Sequence, residues 1–478
     1  MKKIIISKLF LYRHRFVIGY IVLGLAFVTL LFSLPLFAQY GLSSAEMESA
    51  ASSYALNIES PFSNNLVDLP YKILQKLSIS IFTLTPYAVK LPSIIIGLLL
   101  GFLLILLLNR WFKSNVSLLA SILVILSTPF LFLAGSGTPL IMLVFWPILL
   151  LWLGSKIYGE ARPRPIYSFI FAIALLLAIF TPYMVYFALL CVFFVISQPH
   201  LRFIVKSLPK TLVISLAIII VAGIGFLTVN VINQPNSIME LLFAKSFDGK
   251  DFLPNIGAGF SPVLAWLDGT KSVFLAPLIS LPQLALALIG LFSTTKGFFA
   301  SRNSIASLLL VFTVIITGFN PDAVIFFVLP FAILIAHGLK YILEKWYGLF
   351  PENPYARISA ILPLTILFAT MLIPSLLQYI YGYHYNPNVA NEFYYDLPII
   401  RANLTDETLI VKEHYDFYRI LEDSTELTVI NDDMPFIPDN FAVLYGTYEQ
   451  ENCVLSKIIT SPMKENSDII YLYTVKGE

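Results

Sequence analysis

Long apolar runs recur throughout the first 380 residues and leave few folds open to this chain. A helix needs about 20 predominantly apolar residues to cross roughly 30 Å of bilayer hydrocarbon, and several runs reach that length. Composition agrees, because 58% hydrophobic and 12% charged residues would leave a soluble globule short of polar surface. We therefore predict an all-α polytopic membrane protein with about eleven transmembrane helices. The runs lie near residues 17–38, 88–108, 117–134, 138–155, 166–182, 183–197, 211–232, 274–293, 304–319, 322–340 and 358–380.

The segment 381–478 has the composition of a water-exposed domain. It holds 6 Lys or Arg against 17 Asp or Glu, whereas residues 1–380 hold 24 against 12, so the two parts carry −11 and +12 and sum to +1. Apolar stretches between short polar segments predict a small C-terminal α/β domain after a membrane domain of residues 1–380. Its predicted strands are Thr408–Val411, Leu427–Ile430, Phe441–Tyr445, Lys457–Ile459 and Ile469–Val475.

Basic residues are distributed unevenly between the loops on the two sides of the membrane. With the N-terminus in the cytoplasm, the cytoplasmic loops receive 18 Lys or Arg residues, and the opposite loops within residues 1–380 receive 6. Positive charge concentrates in cytoplasmic loops. We therefore predict a multi-pass plasma-membrane protein with a cytoplasmic N-terminus and an extracytoplasmic C-terminal domain. Two external loops, 39–87 and 233–273, are long enough to build a site.

Motifs for several common chemistries are missing from the sequence. It contains no Walker A, GxGxxG, HExxH or GxSxG pattern and no CxxC pair, so nucleotide hydrolysis, dinucleotide binding and thiol or zinc chemistry lack support. No external basic patch predicts nucleic-acid binding. Ionisable residues are nearly absent from the apolar runs, which disfavours ion-coupled transport.

Acidic residues follow the first apolar run at the predicted outer surface. Glu46 and Glu48 lie at the start of a helix predicted for Ala45–Leu56, and a second amphipathic helix is predicted for Tyr71–Phe82. A carboxylate at this surface suits a general base acting on an acceptor hydroxyl, or a metal ligand. The alternative is an acidic helix N-terminus, which the helix dipole favours without any catalytic role.

Three stretches of the chain stand in an order known from one family. They are the acidic segment 41–48, the path from Leu69-Pro70-Tyr71 through Lys90-Leu91-Pro92-Ser93 to Ser127-Thr128-Pro129, and the late apolar segment Val324–Gly338. Together they resemble the GT-C superfamily of membrane glycosyltransferases, which includes protein O-mannosyltransferases and the aminoarabinose transferase of lipid A. Glu46 matches one member of the family's Asp-Glu pair, and Ala45 stands where the family has Asp.

The resemblance implies an enzyme that moves a hexosyl or pentosyl group from a polyprenyl-phosphate donor at the outer membrane face. The acceptor would be a glycan, lipid or protein of the cell envelope, membrane lipids would be the other partner, and nucleic acid would not be one. Under this resemblance Glu46 and Glu48 are the catalytic candidates. A divalent metal ion is left open as a cofactor, with Glu46 as its candidate ligand.

Basic residues on the outer side are candidates for binding the donor phosphate, because an ammonium group is a point-charge partner for phosphate. These candidates are Lys90, Lys245, Lys250 and Lys271, and the candidates for a loop that closes over the acceptor are Asp248 and Asp251. Lipid-headgroup contact is the alternative for the loop lysines, and snorkelling is the alternative for Lys90. A solvated turn is the alternative for the two aspartates.

Two other functions stay open at this point. A non-catalytic GT-C-like scaffold is favoured by Ala45, which replaces an acidic residue of the family pattern. A lipid or solute transporter ranks behind it, because neither internal repeats nor polar residues at the membrane midplane are apparent. Whether Glu46 is essential for sugar transfer separates the enzyme from the scaffold.

Overall fold

A computed structural model gives the structure of the protein. Apart from a few single positions, it describes residues 15–37, 41–57, 65–159, 165–197, 209–243, 249–264, 279–295, 301–349, 361–385, 392–404, 407–431, 440–444, 453–460 and 469–475.

Helices account for every apolar run predicted to cross the membrane. In chain order the helices up to residue 385 are α1 Arg15–Phe37, α2 Ser44–Tyr54, α3 Leu69–Phe82, α4 Pro86–Trp111, α5 Ser114–Ile125, α6 Thr128–Gly135, α7 Met142–Gly159, α8 Pro165–Ala178, α9 Met184–Ser197, α10 Lys210–Asn233, α11 Asn236–Phe243, α12 Phe252–Leu264, α13 Leu281–Thr295, α14 Ser301–Phe319, α15 Val328–Leu349 and α16 Ile361–Tyr385. Short 3₁₀ turns at Pro139–Ile141 and Pro321–Phe327 precede α7 and α15.

The helices identify a multi-pass membrane protein. Among the described residues, five helical segments are each long and apolar enough to cross a bilayer, and α5 with α6, bent by 64° at their junction, make a sixth if the pair is one span. Shorter apolar helices include α8, α9 and α13. The total of about eleven spans and the orientation of the termini stay predictions.

Close packing between α13 and α15 depends on two glycines. A Cβ atom added to Gly290 would lie 1.9 Å from the Leu334 carbonyl oxygen, and one added to Gly338 would lie 2.2 Å from the Leu286 carbonyl oxygen. No side chain fits at either position. Small residues of this kind let helix backbones approach closely in membrane proteins, where apolar burial alone does not draw helices together.

The C-terminal region folds as the predicted small α/β domain. Its elements are α17 Asp396–Asn403, β3 Thr408–Val411, α18 Tyr415–Tyr418, β4 Thr428–Asn431, β5 Asn440–Leu444, β6 Cys453–Thr460 and β7 Ile469–Val475. The sheet has the strand order β4-β3-β5-β7-β6, with β3 parallel to β4 and β5, and β7 antiparallel to β5 and β6. All five predicted strands are present, two with the predicted bounds and three with shifted ends.

A two-stranded sheet that the sequence analysis did not predict joins the chain's early and late parts. Strand β1, Leu42–Ser43, pairs antiparallel with β2, Phe393–Tyr394. An apolar cluster extends this junction, because buried side chains of the segment 42–89 pack with those of the C-terminal domain. They include Leu42, Met47, Ala50, Ile79 and Val89 on one side, and Leu397, Ile400, Phe417 and Leu421 on the other. Helix α2 is therefore held between the bundle and the C-terminal domain.

Candidate functional site

Glu46 lies in the first turn of α2 and is fully buried, with 1% of its surface exposed. Ser43 is the N-cap residue, and its hydroxyl accepts a hydrogen bond from the Glu46 amide. Glu46 Oε2 in turn accepts a hydrogen bond of 2.8 Å from the Ser43 amide. This reciprocal arrangement is a capping box, which begins a helix by satisfying two of its free amides.

The other carboxylate oxygen of Glu46 contacts two further parts of the site. Glu46 Oε1 accepts a 2.6 Å hydrogen bond from the Gly137 amide and lies 3.7 Å from Lys90 Nζ. The Lys90 ammonium donates a 2.6 Å hydrogen bond to the Gly41 carbonyl and is 1% exposed. We call these two charges the Glu46–Lys90 pair. A buried ion pair of this kind needs hydrogen bonds to offset desolvation, and both members have them.

Gln75 of α3 fixes the same loop from the opposite side. Its Nε2 donates hydrogen bonds to the carbonyls of Val89 and Gly137, at 3.1 and 2.8 Å. Its Oε1 accepts hydrogen bonds from the hydroxyls of Ser49 and Ser53, at 2.9 and 2.7 Å. Both donors and both acceptor positions of the amide are used. Glu46 therefore holds the amide of Gly137 while Gln75 holds its carbonyl.

Helix α3 has one buried polar face and one exposed apolar face. Tyr71 is fully buried, and its hydroxyl lies 2.8 Å from Ser93 Oγ. Burial raises the pKa of Tyr71, the Ser93 hydrogen bond lowers it, and the nearby Glu46 and Asp68 carboxylates raise it further. On the opposite face, apolar side chains are exposed, as predicted for an interfacial helix. They include Ile73, Leu74, Leu77 and Ile81.

Asp68 occupies the N-cap position of α3 in the left-handed conformation, with φ 59° and no capping hydrogen bond from its side chain. Its amide donates a 2.8 Å hydrogen bond to the Phe180 carbonyl. Its Oδ1 is buried without a hydrogen-bond partner among the described residues. Burial raises the pKa of Asp68 to about 7, Lys72 opposes this shift, and Glu240 adds to it.

Three further side chains complete the polar surroundings of Asp68. Asn65 Nδ2 donates a 2.8 Å hydrogen bond to Glu240 Oε2, and the Lys72 ammonium donates a 3.4 Å hydrogen bond to the Asn65 carbonyl. Burial lowers the pKa of Lys72, and the Asp68 and Glu240 carboxylates raise it. We call Asn65, Asp68, Lys72 and Glu240 the Asp68 cluster. It joins the first external loop to α11, which begins the second.

Tyr183 holds α11 in place beside this cluster. Its amide donates a 2.9 Å hydrogen bond to the Leu241 carbonyl, and its hydroxyl donates a 3.0 Å hydrogen bond to the Phe243 carbonyl. Tyr183 lies in the connection between α8 and α9, only three residues after Phe180, whose carbonyl binds the Asp68 amide. One short connection therefore positions both halves of the Asp68 cluster.

The structure brings some predicted site residues together and separates others. Glu46 and Lys90 are in contact, as described above. Glu48 is exposed, because it lies two residues from Glu46 on the other side of α2, and it lines a cleft of 720 Å³ between α2 and the C-terminal domain. Lys250 and Asp251 are exposed in the 3₁₀ turn Gly249–Asp251. The other predicted loop residues, Lys245, Asp248 and Lys271, lie outside the described residues.

The sequence analysis missed Asp68, Lys72, Gln75 and Glu240. An aspartate before a Leu-Pro helix start has the pattern of an ordinary N-cap, so nothing in the local sequence distinguishes it. Its proximity to Glu240 depends on contacts between distant parts of the chain. The spacing of Asp68 and Lys72, one helical turn apart, was the one signal that could have drawn attention to them.

The surroundings of Glu46 do not fit a divalent metal ion. Its two carboxylate oxygens face two amide donors and the Lys90 ammonium, all of which repel a cation. Within the described ranges, no group of three or more His, Cys, Asp or Glu side chains is arranged to hold a metal. We therefore derive no step through a metal at this position.

Comparisons with known proteins place the fold. A family model described as dolichyl-phosphate-mannose-protein mannosyltransferase matches residues 70–225. The structure is similar to that of ArnT from Cupriavidus metallidurans bound to undecaprenyl phosphate, with a TM-score of 0.56 and 13% sequence identity over 96% of this chain and 98% of ArnT. The apo state of the same ArnT gives a TM-score of 0.53 and 14% identity over the same shares. No curated protein matches the chain in sequence.

The structural similarity to ArnT covers 96% of this chain, whereas the family match is confined to residues 70–225. The resemblance to the GT-C superfamily of membrane glycosyltransferases, predicted from three sequence stretches, is confirmed. The chain has the fold of that superfamily.

Proposed function

We propose that the chain is a membrane glycosyltransferase that moves a sugar from a polyprenyl-phosphate donor to a cell-envelope acceptor at the outer membrane face. The observation that carries the proposal is the likeness of fold to ArnT over 96% of this chain, in a structure of ArnT that holds undecaprenyl phosphate. The family match over residues 70–225 supports it, because these residues include α3, α4 and the loop that Glu46 binds.

The geometry gives Glu46 and Lys90 different parts in this function. Both oxygens of Glu46 are held by hydrogen bonds, so its role in the proposal is to position Lys90 and Gly137. Of the two predicted phosphate-binding lysines that the structure describes, Lys90 lies beside Glu46 and Lys250 is exposed. A phosphate reaches the Lys90 ammonium only by displacing the Gly41 carbonyl, since the side chain is 1% exposed.

The proposal gives the acceptor side to the predicted residues that the structure describes as exposed, which are Glu48, Lys250 and Asp251. Glu48 faces the cleft between α2 and the C-terminal domain, together with Asp416, Arg419 and Asp423. The Lys250 and Asp251 side chains are exposed to solvent. We propose that a polar acceptor contacts these exposed groups, because a carboxylate is a strong acceptor for sugar hydroxyls and amines.

The direct test is sugar transfer by the purified full-length chain in lipid nanodiscs. Radiolabelled hexosyl and pentosyl polyprenyl phosphates serve as donors, and cell-envelope extract serves as acceptor. We expect transfer by the wild type and a loss of about a hundredfold or more in the Glu46→Gln variant, because the variant keeps the size of the side chain but loses the charge that positions Lys90. Glu413→Gln, a change at an exposed carboxylate of the C-terminal domain, is the control.

A non-catalytic GT-C-like protein is the competing function, and one observation favours it. Glu46 is so completely engaged in hydrogen bonds that it has no open oxygen for a substrate proton. If the wild type binds polyprenyl phosphate but transfers no sugar from any donor, the non-catalytic function replaces the one proposed. If Glu46→Gln retains full transfer and folds normally, the enzyme stands but Glu46 has no part in it.

A further inference from the structure

Asp68 differs from Glu46 because one of its buried carboxylate oxygens accepts no hydrogen bond from the described residues. Glu46 closes a capping box and binds Gly137, whereas Asp68 Oδ1 has no hydrogen-bond partner in the described part of the chain. A buried polar atom without a partner costs free energy, so its presence calls for an explanation. A role in chemistry is one such explanation.

The usual structural explanation for an aspartate at a helix start does not apply. The Asp68 side chain makes no capping hydrogen bond to α3, and Pro70, in the first turn, has no amide to offer. The residue also adopts a left-handed backbone conformation, which favours Gly and Asn at least as well as Asp. Helix formation therefore does not require a carboxylate at this position.

The groups around Asp68 suit a carboxylate that exchanges a proton. Lys72 lies one turn further along α3 and stabilises the ionised form, while Glu240 of α11 opposes it. Asn65 holds Glu240 in place through its 2.8 Å hydrogen bond. A carboxyl between one cation and one anion, in a partly buried setting, can change its charge near neutral pH, which general-base catalysis needs.

Asp68 is also connected to the rest of the site through Tyr71. Both the Glu46 and the Asp68 carboxylate raise the pKa of the buried Tyr71 hydroxyl, so both lie near this side chain. Asp68 immediately precedes α3, and Tyr71 and Gln75 lie one turn apart on the buried face of that helix. The Asp68 cluster is thus a second polar centre on the helix that supports the Glu46–Lys90 pair.

We propose that Asp68 accepts the proton in the sugar transfer, an assignment that rests on the proposed function. As the acceptor hydroxyl oxygen bonds to the anomeric carbon, its proton passes to the Asp68 carboxylate. The bond between the anomeric carbon and the phosphate oxygen breaks, and the phosphate leaves with the electron pair. Lys72 holds the carboxylate in its ionised form before the step, and Glu240 favours the protonated form after it.

The test compares Asp68→Asn with the wild type in the nanodisc assay. Asn has nearly the same size and tolerates the left-handed conformation, so the backbone is preserved. We expect kcat to decrease about a hundredfold or more while KM for the donor and binding of polyprenyl phosphate stay within about threefold. The Asp68→Gly variant should regain part of its activity in added formate, which supplies a carboxylate. Glu413→Gln again serves as the control.

The pH profile distinguishes a proton acceptor from a residue that only supports the fold. The charged and titratable groups facing Asp68 are Lys72 and Tyr71 on α3 and Glu240 on α11. Transfer by the wild type should increase as the pH rises through neutrality, and this increase should be lost in Asp68→Asn.

The outcomes separate the two proposals. Wild-type activity with full activity in Asp68→Asn overturns the role of Asp68 and leaves the proposed function intact. An Asp68→Gly variant that formate fails to restore, in a folded protein that still binds polyprenyl phosphate, also overturns it. A wild type that transfers no sugar from any donor overturns the proposed function and the role of Asp68 with it.

Discussion

Two carboxylates lie close to the buried face of α3, and the chain surrounds them in different ways. The Glu46 carboxylate accepts hydrogen bonds on both oxygens and pairs with Lys90, so it holds three other residues in place. The Asp68 carboxylate has a buried oxygen without a partner and shares its setting with a cation and an anion. Removing the first should therefore damage the fold, while removing the second should damage chemistry and leave the fold intact.

The largest expected effect on stability comes from Lys90→Met, which removes one member of the Glu46–Lys90 pair. The Glu46 carboxylate would stay buried without its counter-charge, which typically costs about 3–5 kcal/mol. Thermal unfolding in detergent or nanodiscs measures the loss. Adding Glu46→Gln to Lys90→Met should recover much of it, because no unpaired charge remains. Equal stability of Lys90→Met and the wild type would contradict the structural role assigned to the pair.

Gly137→Ala tests the hydrogen bond between the Gly137 amide and the Glu46 carboxylate. A Cβ atom at Gly137 would lie 2.7 Å from Val89 Cγ1 and 3.0 Å from the Val89 carbonyl, so the loop must move away from Glu46. We expect a destabilisation of about 1–3 kcal/mol, the usual cost of overpacking. Gly154→Ala, where an added Cβ meets nothing within 4 Å, is the matched control. Similar unfolding temperatures for the two variants would show that the loop tolerates displacement.

Asp68→Asn should stabilise the protein at alkaline pH, which is the opposite of the effect expected when the Glu46–Lys90 pair is broken. The pKa of Asp68 in the folded state is about 7, above the ordinary value of 3.8, so the folded state binds the proton more tightly. Stability is then full below the ordinary pKa and decreases as the pH rises through 7. Since the residue is partly exposed, we expect the free energy of unfolding of Asp68→Asn to exceed that of the wild type by only about 1 kcal/mol at about pH 8. This difference should become smaller as the pH falls toward about 5.

Unfolding midpoints measured across this pH range test the prediction for Asp68. Glu413→Gln controls for a simple loss of negative charge, since Glu413 is exposed. A variant that is less stable than the wild type at every pH would mean that the carboxylate supports the fold, and Asp68 would then resemble Glu46.

The smallest effect is expected at the contact between α2 and the C-terminal domain. The Tyr54 hydroxyl donates a hydrogen bond to the Asp423 carboxylate, which together with burial raises the pKa of Tyr54 to about 12. Tyr54→Phe removes this exposed contact and should cost about 0.5–1 kcal/mol. Sugar transfer should change less than about threefold. A larger loss of transfer would show that the cleft lined by Glu48 has to keep its shape for catalysis.

Much of the fold could be predicted because its causes are local. Hydropathy identifies the apolar helices, and apolar stretches between polar segments identify the five strands of the C-terminal domain. Two of these strands have the predicted bounds, and three differ only at their ends. Glu46 was found because an acidic segment follows the first apolar run and because Glu46 matches one member of the acidic pair of the GT-C family. Its burial against Lys90 and Gly137 could not be seen, since these contacts join positions far apart in the sequence.

The Asp68 cluster illustrates what sequence alone does not reveal. The Phe180 carbonyl, the Asn65 amide and Glu240 determine the setting of Asp68, and they come from three separate parts of the chain. The pairing of β1 with β2 involves only two residues on each strand, too few for a pattern. Both features depend on tertiary packing rather than on local propensity.

The pairing of β1 with β2 has a consequence for biosynthesis. Phe393 of β2 lies opposite Ser43, and its ring lies 5.6 Å from the Lys90 ammonium. The segment that contains Glu46 emerges early from the ribosome, but the strand that covers it is made only after α16 is complete. Until β2 is made, neither the Phe393 ring nor the pairing of β1 with β2 can form beside the Glu46–Lys90 pair. A nascent chain halted before residue 393 therefore has an incomplete site. A strand that is translated late therefore completes a site whose first residues are translated early.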